Sequence, residues 1–302
     1  MSPELAEAHR RLSALITAPP PLLVVSDFDG TLAPIHPDPM GAVIEPGARR
    51  ALRALARVAA LRPDRLHVVV LSGRSALDVA RRVRVGGMGY LGNHGIESGR
   101  LGRRVAAERL AVATADELLA HVEPSRRLAR AVADALGEPP WLFVELKEPT
   151  VAFHYRAAAD PVAARGAILE ALDRAQGEIP DRRFERFDGR RVVELRPEGA
   201  GAKGAALAAL VARQRPGAVL VLGDDVSDAE AFRVVRDARA DGAIAGLALG
   251  VHGGRETPPE ISAAADVVLP TPRDAGRLLG ALASALEREA AASPQAVAGG
   301  AP

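Results

Sequence analysis

Short runs of consecutive apolar residues alternate along this chain with longer segments in which apolar positions recur every three or four residues. Residues 22–26 (LLVVS), after a proline breaker at 19–21, form the kind of continuous apolar run that a strand buried on both faces requires. Residues 46–62 follow with Leu52, Leu55 and Ala59 on one helical face and arginines on the other. Residues 66–72 (LHVVVLS) predict a second buried strand, a helix starts at Ser75, and residues 90–92 give a shorter third strand. This β-α-β-α-β order predicts a parallel sheet flanked by helices. The same texture resumes late, with a helix from Lys203, a strand over 218–223 (AVLVLG), a helix from Asp228, a strand over 243–249 and a last helix from Arg273.

The middle of the chain differs. Residues 141–147 (WLFVELK) and 151–156 (VAFHYR) flank Glu148-Pro149-Thr150 and predict an antiparallel hairpin. A helix over 161–176 and a strand over 191–196 (RVVELR) complete a small α+β unit. The expected organisation is therefore a discontinuous core, residues 1–101 and 197–302, with residues 102–196 inserted as a cap. The tail beyond Ala291 is rich in Ala, Gly, Pro and Ser and is expected to be disordered.

Composition narrows the function classes. At 302 residues and 48% hydrophobic the chain can bury a large core, and Lys+Arg 39 against Asp+Glu 38 advertises neither a nucleic-acid nor a membrane partner. No obligate protein partner is implied either. The absence of cysteine removes disulfides, thiolate zinc sites and cysteine nucleophiles. The first residues read as a short amphipathic helix and not a signal peptide, and no apolar run approaches the roughly 18 residues of a membrane span. A cytoplasmic protein is the expectation.

Candidate chemistry clusters where strands end. Asp27-Phe28-Asp29-Gly30-Thr31-Leu32 leaves the first strand with two carboxylates two residues apart. Taken alone, this segment is as well read as a helix cap or Asx-turn. Ser72-Gly73-Arg74 closes the second strand with a hydroxyl and amides suited to phosphate oxygens. Lys203 opens a helix, where it offers a compact positive charge, and Gly223-Asp224-Asp225-Val226-Ser227-Asp228 brings further carboxylates. Hard oxygen donors beside phosphate suit Mg²⁺. Two decoys fail in context. Residues 87–92 match GxGxxG but precede a short strand instead of joining a strand to a helix, and no Ser or Thr follows Lys203 as a nucleotide-binding loop requires. His94 and His154 lack ligand-spaced partners for zinc.

The ordered set DFDGTL, LSGR, a lysine before a helix, and GDD with a later aspartate resembles the haloacid-dehalogenase (HAD) phosphatase superfamily. Within it, DFDGTLAPI, LGNHGIE (91–97), VELKEPTVAFHYR (144–156), VVELRPEGAGAKGAAL (192–207) and GDDVSDAEAF (223–232) resemble the trehalose-6-phosphate phosphatase branch. Ser227 stands where that family more often has Thr, and Ala229 where a second acidic residue is common. The resemblance implies an α/β fold, a Rossmannoid parallel-sheet core with an inserted α+β cap, and a Mg²⁺-dependent phosphatase acting on a small sugar phosphate. It implies Asp27 as nucleophile and Asp29 as general acid and base, with Ser72 and Lys203 on the phosphoryl oxygens. Asp27, the Asp29 carbonyl and Asp224 would hold the metal, supported by Asp225 or Asp228. Gly73, Arg74, Asn93 and His94 are expected beside the substrate. In the cap, Glu145 and Lys147 share one strand face, as do Glu194 and Arg196. On spacing alone these pairs read as a solvent-facing ion-pair ladder, whereas the resemblance assigns them to sugar hydroxyls. A phosphatase for sucrose phosphate or mannosyl-phosphoglycerate, a phosphomutase, and a binding protein without turnover are the rival readings.

Overall fold

A computed structural model describes residues 1–302 except 37, 178–182, 190, 253–256 and 293–302. The expectation of a disordered tail falls on 293–302, outside the described residues. Among the described residues, eight strands form one sheet, in the spatial order β12 (Val267–Leu269), β11 (Ala245–Val251), β10 (Ala218–Gly223), β1 (Leu22–Ser26), β2 (Leu66–Leu71), β3 (Met88–Gly92), β4 (Glu97–Leu101), β5 (Ala113–Thr114). Strands β1, β2, β3, β10, β11 and β12 are parallel. β4 and β5 extend it antiparallel. β4, β5 and β12 are short or interrupted by polar residues, so hydrophobic periodicity did not announce them.

β1 lies at the centre, and its five residues are all buried. Alternate side chains face opposite sides. Leu22 and Val24 join a cluster with α1 (Pro3–Thr17), α2 (Pro46–Leu61), α3 (Ala76–Val83) and α10 (Pro272–Ala292). Leu23 and Val25 join another with α7 (Lys203–Gln214), α8 (Val226–Ala240) and α9 (Pro259–Ala264). Burial on both faces is why these strands read as continuous apolar runs. Because β2 and β10 flank β1, the chain reverses direction across the sheet there. The crevice at the strands' carboxyl ends is therefore the place for a site in such a fold.

Several boundaries shift from the sequence expectation, each for a local reason. α8 begins at Val226, two residues before Asp228, because Asp225 caps it and Asp228 closes a reciprocal capping box. The last helix starts at Pro272, whose fixed φ suits a first turn. α1 confirms the amphipathic helix, burying Leu5, Ala8, Leu12 and Leu15 under an N-cap at Ser2. Among the described residues, no helix is long and apolar enough to cross a membrane.

A second sheet of four antiparallel strands runs β6 (Phe143–Lys147), β7 (Thr150–His154), β9 (Val192–Pro197), β8 (Phe184–Gly189). Helices α5 (Val122–Leu136) and α6 (Pro161–Gly177) cover one face around Phe153, Val193 and Leu195. β7 starts at Thr150, paired with Lys147, so the hairpin turns over two residues and not three. β5 still pairs with the large sheet, so the chain leaves that sheet after the expected boundary at 101.

Phe232, fully buried in one apolar cluster with Leu23, Val25 and Val221, helps hold α8 to the sheet. Phe232→Ala should lower stability by about 3–5 kcal/mol, read as a drop in the urea unfolding midpoint.

Candidate active site

The ends of β1 and β10 and the starts of α7 and α8 bring together Asp27, Asp224, Lys203 and Asp228, all buried. The Lys203 Nζ donates to Asp27 Oδ1 at 2.8 Å and to Asp228 Oδ1 at 2.7 Å. The other Asp228 oxygen accepts the amides of Asp224 and Asp225, each at 3.2 Å. Asp228 is thereby fixed as the partner that orients the lysine, while Asp27 and Asp224 are less encumbered. Gly30, at φ +78°, makes the close approach possible, since a Cβ there would fall 1.8 Å from an Asp224 oxygen. Thr31, buried next to it, points its hydroxyl at Asp224 from 3.5 Å.

Electrostatics mark this cluster as incomplete in charge. Burial pushes the Asp27 carboxyl up to about 7, against the opposing charge of Lys203. Asp224 is raised well above the carboxylate range by burial and then by the charges of Asp27 and Asp228. Asp228 is raised by burial too, though Lys203 resists. Burial alone would discharge Lys203, yet Asp228 and Asp27 hold it charged, above its ordinary range. Asp27, Asp224 and Asp228 each present a carboxylate oxygen within 4.8 Å of the others. One lysine offsets one of three carboxylates. A divalent cation of hard-oxygen preference would balance the other two, so the donor set fits such an ion.

The remaining expected residues separate into three groups. Asp29 does not join the carboxylate cluster; Arg74 grips it bidentately at 2.6 and 2.8 Å and also reaches Asp78 at 3.0 Å. Ser72 is buried at the end of β2, its hydroxyl accepting the Arg74 amide at 3.2 Å. Gly73 follows it, and a Cβ there would meet the His94 ring at 2.7 Å.

The second group lies on the open face of the small sheet. Lys147 bonds Glu194 at 3.1 Å and also the Gly73 carbonyl on the large sheet's side at 3.2 Å. Glu194 in turn accepts from Arg196 at 3.1 Å, and the Arg196 guanidinium stacks 4.1 Å above the Phe187 ring. Burial would raise Glu194, but Lys147, followed by His94 and Arg196, brings it well below the carboxylate range. Glu145 pairs with His154 at 2.9 Å. Three of the four ladder residues are thus withdrawn from solvent, since Lys147, Glu194 and Arg196 side chains are each about one-tenth exposed or less, while Glu145 is 40% exposed.

Asn93 and His94 form the third group. Both have left-handed backbone, φ 52° and 56°. The His94 ring stands 3.7 Å from Glu194, and burial depresses it to about 4 despite that neighbour. The Asn93 side-chain amide bonds Glu97, Thr150 and the Lys147 carbonyl, and none of the Asp27 cluster. Thr31 and Glu97 sit inside motifs the sequence displays. Thr150 does too, whereas Asp78 and Phe187 carried no signal, since only folding brings them to the site.

A parallel sheet with this strand order, an Asp-Phe-Asp strand end, and a buried lysine between carboxylates defines a protein of the HAD fold class. Solved structures agree on the fold. A trehalose-6-phosphate phosphatase related protein superposes with TM-score 0.66 at 20% identity, over 88% of this chain and 99% of that one. The C-terminal domain of the trehalose-6-phosphate phosphatase of C. albicans gives 0.66 at 20%, over 93% and 96%. The profile described as Trehalose-phosphatase matches residues 25–256, and the chain belongs to that family. The trehalose-phosphate phosphatase of Mycobacterium avium (strain 104) is 35% identical over 271 residues, 88% of this chain and 63% of that protein. A protein of Mycobacterium tuberculosis (strain H37Rv) named as an uncharacterized glycosyl hydrolase is 36% identical over 242 residues, 78% of this chain and 17% of its own. The chain therefore spans less than two thirds of these relatives' length.

His94 gives the site a measurable acid limit. Its folded value of about 4 lies below its ordinary 6.5, so the neutral ring's contribution to stability is complete above pH 6.5 and declines as pH falls toward 4. Between pH 6.5 and 4.5, His94→Gln should show a shallower fall in urea midpoint than the unaltered protein.

Proposed function

We propose that this chain is a Mg²⁺-dependent phosphatase that hydrolyses trehalose 6-phosphate to trehalose and inorganic phosphate. The observation that carries the reading is the buried Asp27–Lys203–Asp228 arrangement at the end of β1, with Asp224 beside it and the polar face of the small sheet above. Phosphate monoesters resist hydrolysis because a dianion repels nucleophiles, so charge neutralisation and alignment are what a site must supply.

In this reading a carboxylate oxygen of Asp27 forms a bond to phosphorus as the bond to the sugar oxygen breaks. Asp29, positioned by Arg74, delivers the proton to the departing sugar oxygen. It then takes a proton from the water that attacks the aspartyl-phosphate, which frees Asp27 and releases phosphate. Lys203 and Ser72 offset charge on the phosphoryl oxygens. Asp27, Asp224 and the Asp29 carbonyl would hold Mg²⁺, with Asp228 in support. When bound, the ion supplies the positive charge that the buried carboxylates leave unbalanced.

The small sheet, as a cap inserted within the core, would grip the sugar. Lys147, Glu194, Arg196, Glu145 and His94 are the residues assigned to its hydroxyls. The four strand residues lie on the face of the small sheet that meets the 72–74 loop, and His94 faces Glu194 from the turn after β3, which supports this reading over a solvent-facing ladder.

Phosphate release from trehalose 6-phosphate, sucrose 6-phosphate, glucose 6-phosphate and mannosyl-phosphoglycerate, with and without Mg²⁺, tests the proposal. Preference for trehalose 6-phosphate and loss of turnover in EDTA, restored by Mg²⁺, are expected. Preference for another member would overturn the substrate assignment. Asp27→Asn should lose at least about a thousandfold in kcat with the fold intact; an active variant would remove Asp27 from its role. Glu194→Gln should raise KM for the sugar phosphate by about 10-fold or more, the scale of one hydrogen bond to a charged group.

A further inference from the structure

Asn93 sits on the turn that follows β3, at the junction of the two sheets. Its amide N–H donates to the Arg74 carbonyl at 2.8 Å, and the next amide, of His94, donates to the Ser72 carbonyl at 2.9 Å. The 72–74 loop is thus hung on the backbone of residues 93 and 94, which hold left-handed conformations that asparagine adopts more readily than most residues.

The Asn93 side chain points the other way and is fully buried. Its Nδ2 donates to Glu97 Oε1 at 3.1 Å and to the Lys147 carbonyl. Its Oδ1 accepts the Thr150 hydroxyl at 2.9 Å. Glu97 is itself fixed, since its second oxygen accepts the Ala76 amide at 2.6 Å. Lys147 and Thr150 are the paired residues on either side of the β6–β7 turn. One amide therefore grips both ends of that turn, and both of its protons are engaged. No donor remains for a sugar hydroxyl, and a buried side chain offers none access.

We infer that Asn93 is a positioning residue and not a sugar ligand: with Thr150 it latches the β6–β7 hairpin to the 72–74 loop, and so sets Lys147 and Glu194 over the phosphate-binding end of the sheet. The consequence follows from the chain of contacts. Lys147 reaches back to the Gly73 carbonyl and across to Glu194. A hairpin released at Asn93 loses the register that places those two side chains together. The chemistry at Asp27 does not involve the latch. The inference rests on the proposed phosphatase reading for its substrate, but the latch itself is a statement of geometry.

The test compares a sugar phosphate with p-nitrophenyl phosphate, whose leaving group has no sugar to be gripped. Thr150→Val removes the hydroxyl and keeps a strand-compatible side chain. Asn93→Gly removes the amide and keeps the left-handed backbone accessible. Thr150→Val should lower kcat/KM for trehalose 6-phosphate by about 2- to 10-fold, the scale of one neutral hydrogen bond, and leave aryl phosphate hydrolysis within about twofold. Asn93→Gly should cost the sugar phosphate more than Thr150→Val does, and more than it costs the aryl phosphate, since the backbone amide that holds the 72–74 loop is kept. The double variant should be no worse than Asn93→Gly alone, because the two changes break one shared contact. Hydrogen exchange over residues 143–154 should quicken in Thr150→Val.

Equal losses on both substrates, additive effects in the double variant, or unchanged exchange in the hairpin would each overturn the latch. The proposed function is judged separately, by what the unaltered protein hydrolyses. Should it prefer another sugar phosphate, that compound replaces trehalose 6-phosphate in the comparison. The exchange measurement stands without any turnover at all.

Discussion

The pairing of Lys203 with Asp27 and Asp228 is the constraint around which the large sheet is arranged. An ammonium with no room for water is stable only where carboxylates meet it, and carboxylates stripped of water need the ammonium in return. The two aspartates come from β1 and from the first turn of α8, and the lysine comes from the first turn of α7. Strand β1 is far from the two helices in sequence, with Lys203 176 positions beyond Asp27. They can meet only if β10 lies beside β1 with its carboxyl end at the same level, which is the observed register. The arrangement leaves an excess of negative charge that a divalent cation would balance, and so the structural demand and the proposed chemistry coincide.

The proposed grip on the sugar would rest on a different physical principle. The small sheet has one face sealed by helices and apolar side chains, while its other face carries Lys147, Glu194 and Arg196. Charges so withdrawn from water are held in place by one another, as the low-lying Glu194 carboxyl records. A row of this kind is rigid. It presents donors and acceptors in fixed positions, which suits recognition of hydroxyl groups better than a solvated ladder could. Because Lys147 touches both Glu194 and the 72–74 loop, the position of the small sheet and the geometry at the phosphate end are linked through a few polar contacts.

Much of this was readable before folding. The continuous apolar run of residues 22–26 required a strand covered on both faces, and the Asp27–Asp29 pair had to leave its carboxyl end. Lys203 at a helix start and the acidic stretch from 224 to 228 lay at equivalent ends of later elements, so their convergence followed from the expected parallel sheet. Glu145 with Lys147 and Glu194 with Arg196 were placed on common faces by the two-residue period of a strand. These are local properties. Periodicity, burial on both faces and turn chemistry depend on near neighbours, and the chain states them directly.

What folding alone decided is which partner each polar group takes. Asp29 could have joined the carboxylate cluster, but Arg74 holds it apart. Asn93 could have faced a sugar, but its amide is turned to Thr150, 57 residues away. Asp228 serves as a helix-capping residue and a lysine partner at once, so α8 starts earlier than its apolar pattern indicates. β4 and β5 joined the large sheet without an apolar signal, since an antiparallel edge asks little hydrophobicity of its strands. A hydrogen bond between distant residues has no period and no spacing in the sequence. The sequence by itself determined the strands, the helices and the set of chemical groups at their ends, while the tertiary structure alone decided which charge faces which, because only packing fixes distances between residues far apart along the chain.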